Sequence, residues 1–368
     1  MSAGSAGKPA DDPYAPAAAQ GIHRIAIPTP FAVGRVNVYL IEDSPLTLID
    51  AGPNSGTSFD ELERGVEALG HRLEDIELVI LTHHHIDHLG LVGLVASRAG
   101  AEVATIDVAV PFVSRFREEA EADDEFGVQI MLRHGVSEDV ATALQAVSRS
   151  YRSWGAPVDV TRKLTDGETI ALRDRRLQVL FRPGHSPTDT VFFDPERRTL
   201  VAADHLLKHS STNPLIPRPR EPGAPRPQAL VTYLASLEKT RAMELELLLP
   251  GHGDPITDHR ELIDERSRMH ARRAEKLFGL IAERPRTAHD LAQELWGNIA
   301  VTRAYLTISE VLGHTDLLVN AGRVREVEAD GVVRFEVTDP RPGSSWRTQR
   351  GQPPTAPAPQ EDEPKRAQ

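Results

Sequence analysis

The chain has 368 residues, a formal net charge of −12 and no cysteine. Hydrophobic residues make up 40% of it, enough for two globular units, and no apolar run approaches the roughly 20 residues of a membrane span. Without cysteine, disulfides and thiol chemistry are excluded, which agrees with a reducing compartment. The negative charge argues against an electrostatic grip on nucleic acid or an anionic membrane. We therefore expect a soluble, cytoplasmic protein that does not bind membranes.

The first folded elements are expected after residue 20. Residues 1–20 are mostly Ala, Gly, Pro, Ser and Asp, a composition that predicts a disordered leader. Two strand-type runs follow at 36–41 and 46–50, separated by the turn-forming Asp43-Ser44-Pro45. Residues 58–69 then show the three-to-four spacing of an amphipathic helix.

The most informative stretch is Thr82-His83-His84-His85-Ile86-Asp87-His88, which follows the apolar run 78–81. This pattern predicts a buried strand that ends in a loop of metal-binding side chains. Alternate residues of an extended chain point the same way, so His83 and His85 can converge on one cation. The turn at Ile86 directs Asp87 and His88 towards another. Imidazole and carboxylate ligands without thiolate favour zinc, with iron, manganese or cobalt as alternatives.

A long helical insertion is predicted over about 107–156, after a strand at 102–106. Its second half keeps three-to-four apolar spacing, with Ser137 as the expected N-cap. The insertion could cover the metal site, or it could simply contribute to the core. Its candidate pocket residues are aromatic, namely Phe112, Phe116, Phe126, Tyr151 and Trp154.

Three later strand-type runs each end in a loop with a potential metal ligand. These are His185 after 177–181, Asp204 after 199–203, and His252 after 245–249. Beyond Asp204, six prolines between Pro214 and Pro227 predict a rigid loop beside the metals, because such a segment can form neither a helix nor an inner strand. His205 and His209 could contact substrate or protonate a leaving group, although loop histidines more often have no such role.

The C-terminal third is predicted to be a second unit. A helix over 259–283 leads to helices and a hairpin within 284–339, where Asp330-Gly331 is a typical hairpin turn. From Lys276 to Asp339 there are seven Lys and Arg against ten Asp and Glu, which disfavours DNA binding. The tail over 340–368 is rich in Pro, Gln and Glu and is predicted to be disordered.

The histidine motif, together with the later ligand loops in the same order, resembles the metallo-beta-lactamase fold superfamily. The resemblance implies an α/β fold, a four-layer αββα sandwich with its ligands along one edge, here within residues 21–258. The C-terminal helices and hairpin resemble the winged-helix-like domain of one subgroup, which includes nucleases and thioesterases. Asp50 matches an aspartate that supports the ligands by accepting a ring N–H.

The resemblance also implies a ligand set for two divalent metal ions. The first would be held by His83, His85 and His185, the second by Asp87, His88 and His252, and both by Asp204. Two such ions lower the pKa of a bridging water from about 16 to near 7 and so supply hydroxide. Asp87 could orient this nucleophile, which makes it the candidate catalytic residue.

Hydrolysis of a small ester, thioester or lactone is the predicted function. The alternatives are a metal-dependent ribonuclease or phosphodiesterase, a mononuclear iron sulfur dioxygenase, and a ligand-sensing regulator with a vestigial site. The acidic charge and the aromatic insertion favour a small-molecule substrate over nucleic acid. A homodimer is a possible assembly.

Overall fold

Two β-sheets form the centre of the fold, and the structure, a computed structural model, describes residues 12–338. The strands in chain order are β1 (Ile22–Ile27), β2 (Val36–Ile41), β3 (Thr47–Ile49), β4 (Leu78–Ile80), β5 (Glu102–Ile106), β6 (Arg162–Leu164), β7 (Thr169–Ala171), β8 (Arg176–Phe181), β9 (Thr190–Asp194), β10 (Thr199–Ala203), β11 (Leu247–Pro250), β12 (Val324–Ala329) and β13 (Val332–Val337). One sheet has the order β1-β2-β3-β4-β5-β6 and the other β11-β10-β9-β8-β7, while β12 and β13 form a separate hairpin. The three-residue strands β6 and β7 were not predicted, because each is too short to show an alternating pattern.

Twelve α-helices lie in the described residues, and four of them cover the outer faces of the sheets. They are α1 (Ala15–Ala18), α2 (Gly56–Ala68), α3 (Ile86–Leu89), α4 (Val92–Ala99), α5 (Val110–Ser114), α6 (Phe116–Arg133), α7 (Glu138–Tyr151), α8 (Ala229–Arg241), α9 (His259–Glu283), α10 (Ala288–Trp296), α11 (Ile299–Thr302) and α12 (Ala304–Asn320). The four that cover the sheets are α2, α4, α8 and α9. Within the described part of the chain, no helix is both long and apolar enough to cross a membrane.

Three buried clusters give the four layers of an αββα sandwich. Apolar side chains of both sheets meet between them, among them Tyr39, Ile80, Phe192 and Leu249. A second cluster joins the outer face of the first sheet to α2 and α4, and a third joins the outer face of the second sheet to α8 and α9. Strands such as β2 and β10 are buried along their whole length because both of their faces are covered. The predicted fold class is confirmed for this part of the chain.

The strands that precede the candidate ligands end at one edge of the sandwich. β8, β10 and β11 run in the same direction, because β10 pairs parallel with β11 and β9 is antiparallel to both β8 and β10. The end of β4, in the other sheet, lies at the same edge, where the Thr190 N–H donates to the Thr82 carbonyl at 3.1 Å. Loops that are distant in sequence therefore meet there.

The C-terminal helices share a fourth core with the helical insertion. Ile130 and Met131 of α6 are buried against α9, α10 and α12, and Phe126 packs against the same cluster. Phe126 therefore belongs to this core rather than to a pocket wall. The hairpin packs here through Phe335, which is fully buried. Whether these elements are a winged helix stays a prediction.

The N-terminal segment differs from its prediction. Residues 12–20 include α1, and Tyr14 and Ala17 are buried against the core between the sheets. The prediction of a disordered leader is therefore wrong for residues 12–20, because the Tyr14 side chain finds a buried hydrogen-bonding site that composition does not reveal. Residues 1–11 and the predicted tail over 340–368 lie outside the described residues.

Candidate metal centre

Three histidines converge at the end of β4. Thr82 to His85 continue beyond the strand, and α3 begins directly after His85. The His83 Nε2 atom lies 3.1 Å from His85 Nδ1, and His185 Nε2 lies 2.9 Å from the same Nδ1. His185, in the loop after β8, therefore lies next to His83 and His85. These three nitrogens could bind one cation.

A second group lies beside the first, with Asp204 between them. Asp87 and His88 come from the short helix α3, and His252 Nε2 lies 3.3 Å from Asp87 Oδ2. Asp204 Oδ2 is 3.5 Å from both His185 Nε2 and His252 Nε2, and Asp204 Oδ1 is 3.5 Å from His88 Nε2. All seven predicted ligands are therefore together, and Asp204 faces both groups.

Hydrogen bonds fix which ring nitrogen faces the site. Asp50, buried at the end of β3, accepts from His88 Nδ1 at 2.7 Å and from the Thr82 N–H at 2.9 Å. The Thr82 hydroxyl also donates to Asp50, so its oxygen can accept from His83 Nδ1, 3.0 Å away. Each Nε2 is then left as the free acceptor. Thr82 was not predicted to have this role, although it directly precedes the motif.

The buried atoms of the site fit a metal. His88 Nε2, His252 Nε2 and Asp204 Oδ1 are buried and have no hydrogen-bond partner among the described residues. Buried polar atoms are normally paired, so the convergence of these three fits a site that binds a cation. Gly251 keeps this space open, because a Cβ there would lie 2.2 Å from Asp204 Oδ1 and 2.9 Å from His88 Cε1. Imidazole and carboxylate donors suit zinc and other first-row divalent ions.

The electrostatics separate the two groups. Burial, together with the neighbouring imidazoles, lowers the pKa of His83 and His85 well below the ordinary value, so both are neutral and can donate lone pairs. Burial acts in the same direction on His252, but Asp204 and Asp87 outweigh it and raise its pKa to about 10. The carboxylates of Asp204 and Asp87 thus favour a positive charge at the second group, and a divalent cation would supply that charge.

The other predicted residues have different surroundings. His205 is buried and its Nε2 lies 2.8 Å from the Thr240 hydroxyl, so it does not face an open site. His209 is exposed and pairs with Asp254 at 2.9 Å. Of the candidate pocket aromatics, Phe112 packs directly against the metal motif, with its ring 4.6 Å from that of His84.

A separate histidine pair lies between α9 and α12. His270 Nδ1 and His314 Nε2 are 3.0 Å apart, with Glu310 nearby. Glu310 already forms an ion pair with Arg273, and His314 Nδ1 donates to the Glu310 carbonyl. We interpret this group as a hydrogen-bond network that joins the two helices.

Comparisons with known proteins agree with this geometry. Residues 32–252 match the model of the Metallo-beta-lactamase superfamily, and they contain all seven candidate ligands. The chain belongs to the metallo-beta-lactamase superfamily. Its C-terminal unit lies outside the matched residues, so the match does not assign that unit to a subgroup.

Relatives within this superfamily cover most of the chain. It is 33% identical over 294 residues to the probable metallo-hydrolase YqjP of Bacillus subtilis (strain 168), which covers 80% of this chain and 91% of that protein. The crystal structure of the metallo-beta-lactamase family protein TTHA1429 from Thermus thermophilus superposes with a TM-score of 0.74 and 28% identity, covering 86% of this chain and 98% of the other. The crystal structure of a beta-lactamase domain protein from Burkholderia ambifaria superposes with a TM-score of 0.69 and 25% identity, covering 86% of this chain and 92% of the other. These similarities support a metallo-hydrolase enzyme.

Proposed function

We propose that the protein hydrolyses a small ester, thioester or lactone with two divalent metal ions, zinc being the first candidate. The observation that carries the proposal is an aromatic wall next to the candidate ligands, where Phe112 packs on His84, the residue between His83 and His85. Such a wall suits an acyl chain or an aromatic leaving group.

Phe112 of the helical insertion forms this wall by packing on His84. Phe116, by contrast, is buried with Ile86 in the core of the first sheet, around Gly155, where a Cβ would be 2.3 Å from Phe116 and 2.8 Å from Ile86. Arg220, from the proline-rich loop, stacks over Phe112 at 4.3 Å. This loop and the insertion thus close around the same aromatic ring.

The chain's own residues have distinct roles in this proposal. His83, His85 and His185 would hold one ion, Asp87, His88 and His252 would hold the other, and Asp204 would serve both. When bound, the ions supply Lewis acidity and a nucleophile at neutral pH. An Asp87 carboxylate oxygen can accept a hydrogen bond from the attacking water and orient it towards the substrate carbonyl. Asp50 and Thr82 hold the rings of His88 and His83 in the required tautomers.

Charge supports a small substrate over nucleic acid. Helix α6, which begins with Phe116, carries six acidic residues within Glu118–Glu125, but most of them form ion pairs; Glu119, for example, pairs with Arg218 and Arg220. The preference therefore depends on the net charge of the chain, −12, which disfavours association with a polyphosphate backbone. The nuclease and phosphodiesterase alternative is less favoured on this ground.

The test is a hydrolysis panel combined with elemental analysis of the purified protein. Matched thioesters, lactones, p-nitrophenyl esters, phosphodiesters and RNA are assayed with the zinc-loaded and the metal-free enzyme. We expect turnover of a carboxylic ester, thioester or lactone, lost on metal removal. Faster turnover of RNA or a phosphodiester would favour the nuclease alternative. One iron per chain with sulfur-dependent oxygen uptake would favour the dioxygenase, and metal binding without any turnover would favour the regulator.

A further inference from the structure

The loop that carries His252 is fixed by a buried hydrogen-bond network that begins in the N-terminal segment. The Tyr14 hydroxyl donates to the Gly253 carbonyl at 2.6 Å and accepts from Asn37 Nδ2 at 2.9 Å. The same Asn37 Nδ2 lies 2.9 Å from the Pro250 carbonyl oxygen and 3.0 Å from the Gly253 carbonyl oxygen, so its two hydrogens are shared among three acceptors. Tyr14 is 3% exposed and Asn37 is 1% exposed, so these bonds are shielded from water.

Further bonds complete this network on both sides of His252. The Asn37 N–H donates to the Gly251 carbonyl at 2.6 Å, and the Tyr39 hydroxyl donates to the Pro250 carbonyl at 2.6 Å. His252 Nδ1 donates to the Arg35 carbonyl at 2.9 Å, which leaves Nε2 directed at Asp87 and Asp204. The backbone before and after the ligand is therefore held, as well as its ring.

The orientation of Asn37 is itself determined by a neighbour. Arg24 Nε donates to Asn37 Oδ1 at 2.7 Å, so the Asn37 amide nitrogen must face Tyr14 and the ligand loop. The Arg24 guanidinium also lies over the Tyr14 ring, 4.7 Å from its centroid. Tyr14 thus occupies a defined site with a polar partner on each side.

We propose that Tyr14 and Asn37 are positioning residues for the second metal site, so that the N-terminal segment is part of the metal centre. Tyr14 lies outside residues 32–252, which match the family, so this support is added to the family domain from the N-terminal side. Groups that orient a metal ligand commonly change metal affinity 10- to 100-fold when they are removed. The proposal depends on metal binding at His252 and not on the identity of the substrate.

Stepwise Zn²⁺ titration of the full-length chain against a competing chelator tests it. His252→Ala identifies which binding step belongs to the second site. Tyr14→Phe keeps the ring and removes only the hydroxyl, and it should weaken this step by about 10-fold while the other step is unchanged. Tyr14→Leu, which also removes the aromatic ring beneath Arg24, should weaken the same step at least as much.

The matched control is Tyr305→Phe. The Tyr305 hydroxyl also donates to a buried backbone carbonyl, that of Ile216, but it lies in α12 away from the His252 loop. It should leave both steps unchanged. The proposal is overturned if Tyr14→Phe binds both ions as tightly as the wild type, if it weakens both steps equally, or if the wild type binds a single ion.

Discussion

His88 donates its Nδ1 proton to the Asp50 carboxylate across 2.7 Å, although the two residues are 38 positions apart in the sequence. The bond joins the end of β3 to the helix that follows β4, and β3 and β4 pair as parallel neighbours. The register of these strands therefore brings the supporting carboxylate to the ligand.

Asp50→Asn should weaken binding of the second metal by about 10- to 100-fold, because the amide cannot accept from all the donors that face the carboxylate. Asn suits the backbone, since Asp50 has a φ of 60° and Asn tolerates that region. Chelator competition measures the affinity. Asp194→Asn, at the end of β9, changes a buried carboxylate remote from the site and should have no effect on metal binding.

Gly251→Ala should lose metal without unfolding. The added Cβ would lie 2.2 Å from Asp204 Oδ1 and 2.9 Å from His88 Cε1, so one of these side chains must move. Elemental analysis should find less than the wild-type metal content, with circular dichroism unchanged. Gly279→Ala is the matched control, because nothing lies within 4 Å of its Cβ position in α9; a gain of up to about 1 kcal/mol in stability is expected there. Full metal content in Gly251→Ala would contradict the site geometry.

Asp204→Ala should remove the group that faces both clusters. We expect metal content to fall and hydrolysis to drop more than about 100-fold, beyond the effect of losing one supporting hydrogen bond. His209→Ala changes an exposed histidine five residues later and should retain the wild-type metal content. An Asp204→Ala variant with unchanged metal content and turnover would refute the ligand assignment.

Acid should destabilise the core shared by the insertion and the C-terminal helices through His134. Its ring stacks on Phe335, and burial, then the charges of Arg226 and Arg133, lower its pKa to about 3. The unfolded chain binds a proton near pH 6.5 and the folded chain does not, so this group's contribution is complete above pH 6.5 and is lost as the pH falls towards 3.

Urea unfolding of the metal-free protein between pH 7 and pH 5 measures this effect. As the pH falls, the free energy of unfolding of the wild type should decrease by up to about 1.4 kcal/mol per pH unit more than that of His134→Gln, which cannot take up the proton. Parallel stability curves for the two proteins would show that His134 does not cause the loss.

The sequence by itself determined the candidate ligands and the elements that carry them. His83 and His85 are two positions apart after an apolar run, and His185, Asp204 and His252 each follow a strand-type run, so local periodicity places all of them at strand ends. The strands β2, β5 and β10 and the helix α9 have the predicted bounds for the same reason. These features depend on near neighbours in the chain.

Only the tertiary structure decided how these elements support one another. Tyr14 contacts Gly253 from 239 positions away, so a segment with the composition of a disordered leader is ordered by a site that forms only after both sheets have assembled. Phe126 lies in the shared core rather than a pocket, and His205 is buried against Thr240, because strand order and helix packing decide which faces meet. Local patterns specify the type of an element and its exposed face, whereas long-range register decides its partner.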